Sequence, residues 1–301
     1  MLEAQRPQKS AYAFVVPANR TDRTRSHAER LASRDGYFAP DSVIRRVGNT
    51  PVTPFLGGGA AVLLQVAHPL VAAGVAAHST YERDIWRRLV GTLRALYLIT
   101  YGSSAEAERA ADAVKAAHAR VKGTTETQLG AFPAGTAYSA DDPELMLWVH
   151  ATLVHASLAA YQRFEHALSR ADQERYYREM AVVARLFGTP AGVIPATLAD
   201  LSDYFSAQVA GATISVTEPA RAIAGAVLRA QLPGPMRMLR PAHRLATTAL
   251  LPPRIRSEYG LRLPALQRPL LTAAGHSLRL GAWPVIRVAS RLRPASSILS
   301  T

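Results

Sequence analysis

The apolar run from Ala60 to Ala77 constrains this chain more than any other stretch. It approaches the length that crosses a bilayer, yet Gln65, His68 and Pro69 stand near its middle and alanine dominates the rest. A polar centre and a missing backbone donor argue against a membrane span, so the run is expected to be a buried helix kinked at Pro69. Gly57-Gly58-Gly59 precede it. They are not a dinucleotide fingerprint, because the third position of G-x-G-x-x-G falls on Val62 and no strand comes before them. Close packing or a tight helix entry is their expected role.

Helix signals follow in order. Ser79 and Glu82 form a capping-box pair, and the helix they open should run to about Tyr101 with Gly102 as a left-handed stop. Trp86, Leu89, Val90, Leu93, Leu96 and Tyr97 give it a broad apolar face, with Arg87 and Arg94 toward water. Arg88, Thr92, Ala95 and Ile99 form a separate stripe, so Arg88 and Thr92 point the same way from a largely buried helix. Ser103 and Glu106 form a second box, opening a helix that reaches Lys122 before Gly123. Ala111, Val114, His118 and Val121 share one face, so His118 faces the core with Lys122 one turn beyond. A core histidine satisfied by a carbonyl and a functional imidazole are both open there.

Asp142-Pro143 places an acceptor at a cap and proline in the first turn, which starts another helix carrying Trp148, His150 and His155. A short helix is expected over Val43–Val47. Later ones fall near Asp172–Phe187, Ala196–Ala210, Pro219–Arg229 and Arg240–Leu250, with a terminal set broken by prolines. Gly130 to Ala140 reads as loop. No run alternates over strand length and no period repeats, so the fold class is all-α.

Composition narrows the chemistry. The 301 residues contain no cysteine, which removes disulfides, thiolate zinc and iron–sulfur clusters. The net charge of +13 is carried almost wholly by arginine, and from Ala222 onward twelve arginines face one acid, Glu258. Such a half suits peripheral contact with an anionic membrane. Without an aromatic-interleaved basic platform or finger spacing, nucleic acid is not an expected partner. No secretory signal is legible at the start, so a cytoplasmic protein, at most membrane-peripheral, is expected.

Serine-hydrolase, P-loop and zincin signatures are absent, and no helix carries the Glu-x-x-His of di-iron bundles. What remains is histidine on apolar helices with an arginine nearby. That equipment suits haem, whose iron takes one axial histidine while a cation answers the propionates. His68, ahead of Pro69, is expected to bond the carbonyl that proline frees, and His150 beside Trp148 either lines a pocket or simply packs.

Several segments in sequence carry a resemblance: Asp41-Ser42-Val43-Ile44-Arg45-Arg46, Gln65-Val66-Ala67-His68-Pro69, Gly74-Val75, His78-Ser79, Arg88-x-x-x-Thr92, Tyr101-Gly102, His118-x-x-Val121-x-Gly123, Asp142-Pro143 and Trp148-Val149-His150-Ala151-Thr152. Their order and spacing resemble the MpaB/rubber-oxygenase catalytic-domain family, which includes the latex clearing proteins. The resemblance runs from about Asp41 to Pro294. It implies a flexible arm over 1–40, one large helical domain over 41–294 that encloses b-type haem with globin-like packing, and a tail over 295–301.

The resemblance also implies site roles. His118 stands where rubber-cleaving members place the iron ligand, and Arg88 and Thr92 match their distal Arg-x-x-Lys-Thr segment. Lys122 stands where those proteins carry an arginine, as a partner for a propionate. His68 and His150 are further candidates to bind the cofactor. Gly91 replaces the lysine that can cap the iron in latex clearing proteins, and the position of their proposed glutamate base falls near Ala72. The expected activity is a haem-b oxygenase using dioxygen on a hydrophobic, isoprenoid or lipid-like substrate, with a non-catalytic haem carrier or sensor as the alternative.

Overall fold

The structure is a computed structural model that describes residues 34–50, 53–78, 81–229 and 240–264, and only the backbone over 81–90. The expected N-terminal arm lies almost wholly outside the described residues. So do Ser79 of the first capping box and the chain beyond residue 264.

Helices dominate, as expected. In chain order they are α1 (Val43–Gly48), a π-helical turn (Thr53–Gly57), α2 (Gly58–Val66), α3 (Pro69–His78), α4 (Tyr81–Tyr101), α5 (Ser104–His118), α6 (Pro143–Phe164), α7 (Arg170–Leu186), α8 (Leu198–Ala210), α9 (Glu218–Arg229), α10 (Arg240–Leu250) and α11 (Pro253–Glu258). The capping chemistry holds where it is described. Ser103 and Glu106 close a reciprocal box, and Asp142 accepts from the Glu144 amide at 2.8 Å. Thr197 and Asp200 form a further box at the start of α8.

α2 is the centre, packed against α3, α6, α9 and α10. Its C-terminal end is buried, and its carbonyls take partners from other elements besides the closing bonds of its own last turn. Tyr259 donates its hydroxyl to the Leu63 carbonyl at 2.7 Å, and the Trp148 indole donates to that of Gln65 at 3.2 Å. The Ser215 amide takes the Ala67 carbonyl at 3.0 Å. α8 ends in the same manner. Arg254 of α11 donates to the carbonyls of Val209, Gly211 and Ile214 while its Nε pairs with Glu258 at 2.9 Å. Glu258 in turn accepts from the Val216 amide.

Five expectations need correction. The Ala60–Ala77 run is not one kinked helix but two, meeting at 103°. Pro69 cannot continue α2, and His68 caps the new helix: its Nδ1 accepts from the Leu70 amide at 3.2 Å. The His68 ring therefore does not bond the freed Gln65 carbonyl, which takes the His68 amide at 3.2 Å instead.

Gly102 is not a left-handed stop, since it has no positive φ. It is needed because a Cβ there would lie 2.4 Å from the Leu98 carbonyl oxygen and 3.0 Å from Glu106. Nor does α5 reach Lys122. It ends at His118, and the chain enters a two-stranded antiparallel hairpin, β1 (Lys122–Thr124) with β2 (Ala137–Ser139). Three-residue strands are too short for alternation to register in a sequence. Finally, the broad face assigned to α4 is only half-buried at Leu93, Leu96 and Tyr97, whereas Gly91, Ala95, Leu98 and Ile99 carry its buried stripe.

Among the described residues no single helix is long and apolar enough to cross a membrane. The corner formed by Thr53–Val66 and Pro69–His78 passes only as a bent pair.

Candidate functional site

α4 and α5 pack against each other as a hairpin joined by Gly102-Ser103. Arg88 stands thirteen residues before Tyr101, and His118 stands fourteen after Ser104. At a 1.5 Å rise both lie about 20 Å from the turn, so the hairpin puts the Arg88–Thr92 turn level with His118. The expected distal and proximal segments thus lie on two packed helices, with Arg88 and His118 at similar distances from the turn.

The two helices close tightly near the turn, where Ala95, Ile99, Ala107, Ala110 and Ala111 are all buried. Farther along, the character changes. Thr92 is exposed although it belongs to the stripe of Ala95 and Ile99, and His118 is half-buried. The expectation that Thr92 leaves a buried helix face is corrected on this point: that face passes from core to open surface between Ala95 and Thr92.

The Nδ1 atom of His118 is shielded from solvent. Its carbonyl accepts from the Val121 amide at 2.8 Å, so the last turn of α5 is closed tightly before β1 begins. Lys122 is exposed on β1 rather than one helical turn beyond His118. It remains four residues from His118, and its carbonyl is held by His78, whose Nε2 lies 3.1 Å away. Gly91 is buried, and so is Ala72 on α3.

The other two candidates sit in different surroundings. His68, buried at the α2–α3 corner, has its ring 5.4 Å from that of Phe132. Burial pushes it down to about 4, partly opposed by Asp142. His150 lies within α6, 6.3 Å from the Tyr177 ring of α7, and burial pushes it down to about 4 as well. Its Nε2 is buried with no hydrogen-bond partner. Both rings are neutral near pH 7. Neither belongs to the α4–α5 hairpin, and His68 has its Nδ1 committed to capping α3.

Haem iron needs a single protein donor, and the residues present fit that demand. His118 offers a half-buried imidazole at the end of a helix, with exposed Lys122 four residues further on. Among the described residues no group of three His, Asp or Glu side chains forms a protein-only metal cage.

Two polar features escaped the sequence reading. Arg45 is buried at 1% exposure in α1, donating from Nε to the Thr100 carbonyl at 3.1 Å with its guanidinium 5.8 Å from the Tyr101 ring centre. Arg46 beside it faces Asp172 at the surface at 2.7 Å. Two adjacent arginines of opposite burial leave no pattern to read. The His78–Lys122 bond joins residues far apart in sequence, and only the Gly74-Val75 and His78-Ser79 motifs hinted at that stretch.

The fold is thus an all-α domain whose candidate site lies on the α4–α5 hairpin. The sequence profile of the family described as "ER-bound oxygenase mpaB/B'/Rubber oxygenase, catalytic domain" matches residues 45–280, and the chain belongs to that family. Uncharacterized proteins of Mycobacterium bovis and Mycobacterium tuberculosis are each 26% identical to it over 244 residues, covering 77% of this chain and 87% of the relative. No solved structure matches this chain significantly.

Proposed function

We propose that the chain is a haem-b-dependent oxygenase acting on a hydrophobic, isoprenoid or lipid-like substrate. The observation that carries this reading is the α4–α5 hairpin, which brings the Arg88–Thr92 turn level with the half-buried His118 in a chain of the oxygenase family. His118 would hold the iron. Bound haem would supply the redox chemistry that activates dioxygen. Arg88 and Thr92 would supply hydrogen-bond donors, and Lys122 would supply a cation for a propionate. The buried, largely alanine-lined helices exclude water on the side toward the turn.

A second reading, a haem carrier or sensor without turnover, is favoured by one observation. Buried Gly91 stands where the resemblance places a lysine, and the acidic base has no match, its position falling near buried Ala72.

An absorption spectrum of the purified protein tests haem binding, and His118→Ala tests the ligand. The variant should keep its far-UV circular dichroism and lose most of its Soret absorbance. Unchanged haem content would refute the assignment. Oxygen uptake with a panel of unsaturated lipids and isoprenoids separates the oxygenase from the carrier.

A further inference from the structure

α3 meets the strand that follows His118 through a single stripe. Gly74 and His78 are one turn apart on α3 and share one face. A Cβ on Gly74 would lie 3.3 Å from Val121 Cγ1 and 3.6 Å from the Tyr138 ring, so the glycine lets α3 approach closely. The ring of His78 meets that of Tyr138 edge-on, with centroids 6.3 Å apart. Tyr138 in turn covers Gly123, where an added Cβ would lie 2.7 Å from its hydroxyl.

The His78 Nε2–Lys122 carbonyl bond has a definite place in the ladder. In the hairpin register Lys122 opposes Ser139. The Ala140 amide donates to the Val121 carbonyl, and the Thr125 amide to that of Thr136. Antiparallel pairs alternate, so 121/140 and 125/136 are hydrogen-bonded pairs and 122/139 is not. The Lys122 carbonyl therefore points away from β2, onto the open edge of β1. An open edge carbonyl needs a partner, and His78 provides it with the tautomer that carries hydrogen on Nε2. His118 is locked to this segment by the tight turn from its carbonyl to the Val121 amide.

We infer that His78 is the positioning residue for His118 and Lys122. By holding the Lys122 carbonyl it fixes the chain that leaves α5, and with it the tilt of the His118 ring and the direction from which the Lys122 ammonium approaches. The inference rests on the haem reading for what His118 binds, but not for the tether itself.

Two variants test it. His78→Phe keeps a ring against Tyr138 and removes the donor, whereas His78→Gln keeps a donor nitrogen and removes the ring. Amide hydrogen exchange at Ala140 in the haem-free full chain reads the tether, and haem titration followed in the Soret band reads the ligand. His78→Phe should speed exchange at Ala140 and weaken haem binding about tenfold, with melting temperature near wild type. His78→Gln should recover most of both. Unchanged exchange in His78→Phe overturns the tether. Altered exchange with wild-type haem affinity, or no recovery in His78→Gln, overturns the positioning role. A wild-type chain that binds no haem overturns the proposed function and the positioning role with it, while the exchange measurement still decides the tether.

Discussion

The triple glycine offers a test in which neighbouring, chemically identical substitutions should differ in sign. At Gly58 an added Cβ would meet nothing within 4 Å. Gly58→Ala should therefore only restrict the unfolded chain and favour helix, stabilising by about 0.5–1 kcal/mol. At Gly59 the same methyl would lie 2.3 Å from Thr247 Oγ1 and 3.0 Å from His243 Nε2 of α10. Thr247 is wholly buried, and a β-branched side chain in a helix has little rotamer freedom with which to yield. Overpacking of that kind costs about 1–3 kcal/mol. It outweighs the propensity gain, leaving Gly59→Ala about 1–2 kcal/mol less stable than wild type. At Gly57 the Cβ would lie 2.9 Å from the Ala160 methyl and 3.2 Å from the Ala156 carbonyl oxygen. Gly57 is already helical in backbone, at φ −81° and ψ −30°, so the contacts decide the outcome there. With rigid neighbours outweighing the helix gain, Gly57→Ala should lose about 1–2 kcal/mol.

Urea denaturation followed by far-UV circular dichroism resolves these differences if the slopes agree among the variants. Thr247→Ala removes the hydroxyl that the Gly59 methyl strikes, so Gly59→Ala with Thr247→Ala should recover about 1 kcal/mol of coupling. Gly58→Ala and Gly59→Ala lying within about 0.5 kcal/mol of each other would refute the close α2–α10 approach on which the argument rests.

Burial holds the folded-state values of His68 and His150 near 4, below the ordinary histidine value of 6.5. The unfolded chain therefore binds more protons between those values, so stability is full above pH 6.5 and falls as pH drops toward 4, by up to about 3 kcal/mol per ring. His68→Asn keeps a cap acceptor and removes the titration; an unreduced slope of stability over pH 4–6.5 in that variant would exclude His68 as a source. Arg254→Met removes the donor that closes the end of α8 and should cost about 1–3 kcal/mol, discounted because the side chain is partly exposed. A wild-type melting temperature in that variant would show that solvent replaces the clasp at no cost.

Helices and their starts were legible because capping is local. Ser103 with Glu106, and Asp142 ahead of Pro143, act within four residues of themselves, so their spacing carries the whole signal. The corner at His68-Pro69 was half legible. Proline announces a break, but the angle depends on whether the next helix finds a cap, and a histidine nitrogen accepting from Leu70 is a rare cap with no sequence signature. The face of α4 was misjudged for a different reason. Large apolar residues such as Leu93, Leu96 and Tyr97 looked like the core side, yet tight packing against α5 and α9 selects the stripe with Gly91 and Ala95. Size wins when a helix meets open space, whereas smallness wins when two backbones must approach.

The same distinction bears on the site. Near the Gly102 turn, small residues let α4 and α5 close, and the stripe of Ala95 and Ile99 is buried there. Less than one turn beyond Ala95 its continuation, Thr92, is exposed, and His118 on the partner helix is half-buried. Under the proposed function, a half-buried His118 suits a flat, largely apolar group bound with its polar edge left outside. That orientation is the one in which an exposed Lys122 on β1 is useful, because its ammonium can stay hydrated while meeting a carboxylate at the rim. A Lys122 buried one helical turn beyond His118 would instead require a paired acid. The end of α5 at His118 and the turn into β1 are thus what make a lysine compatible with a half-buried histidine four residues earlier, and they are the features that His78 secures.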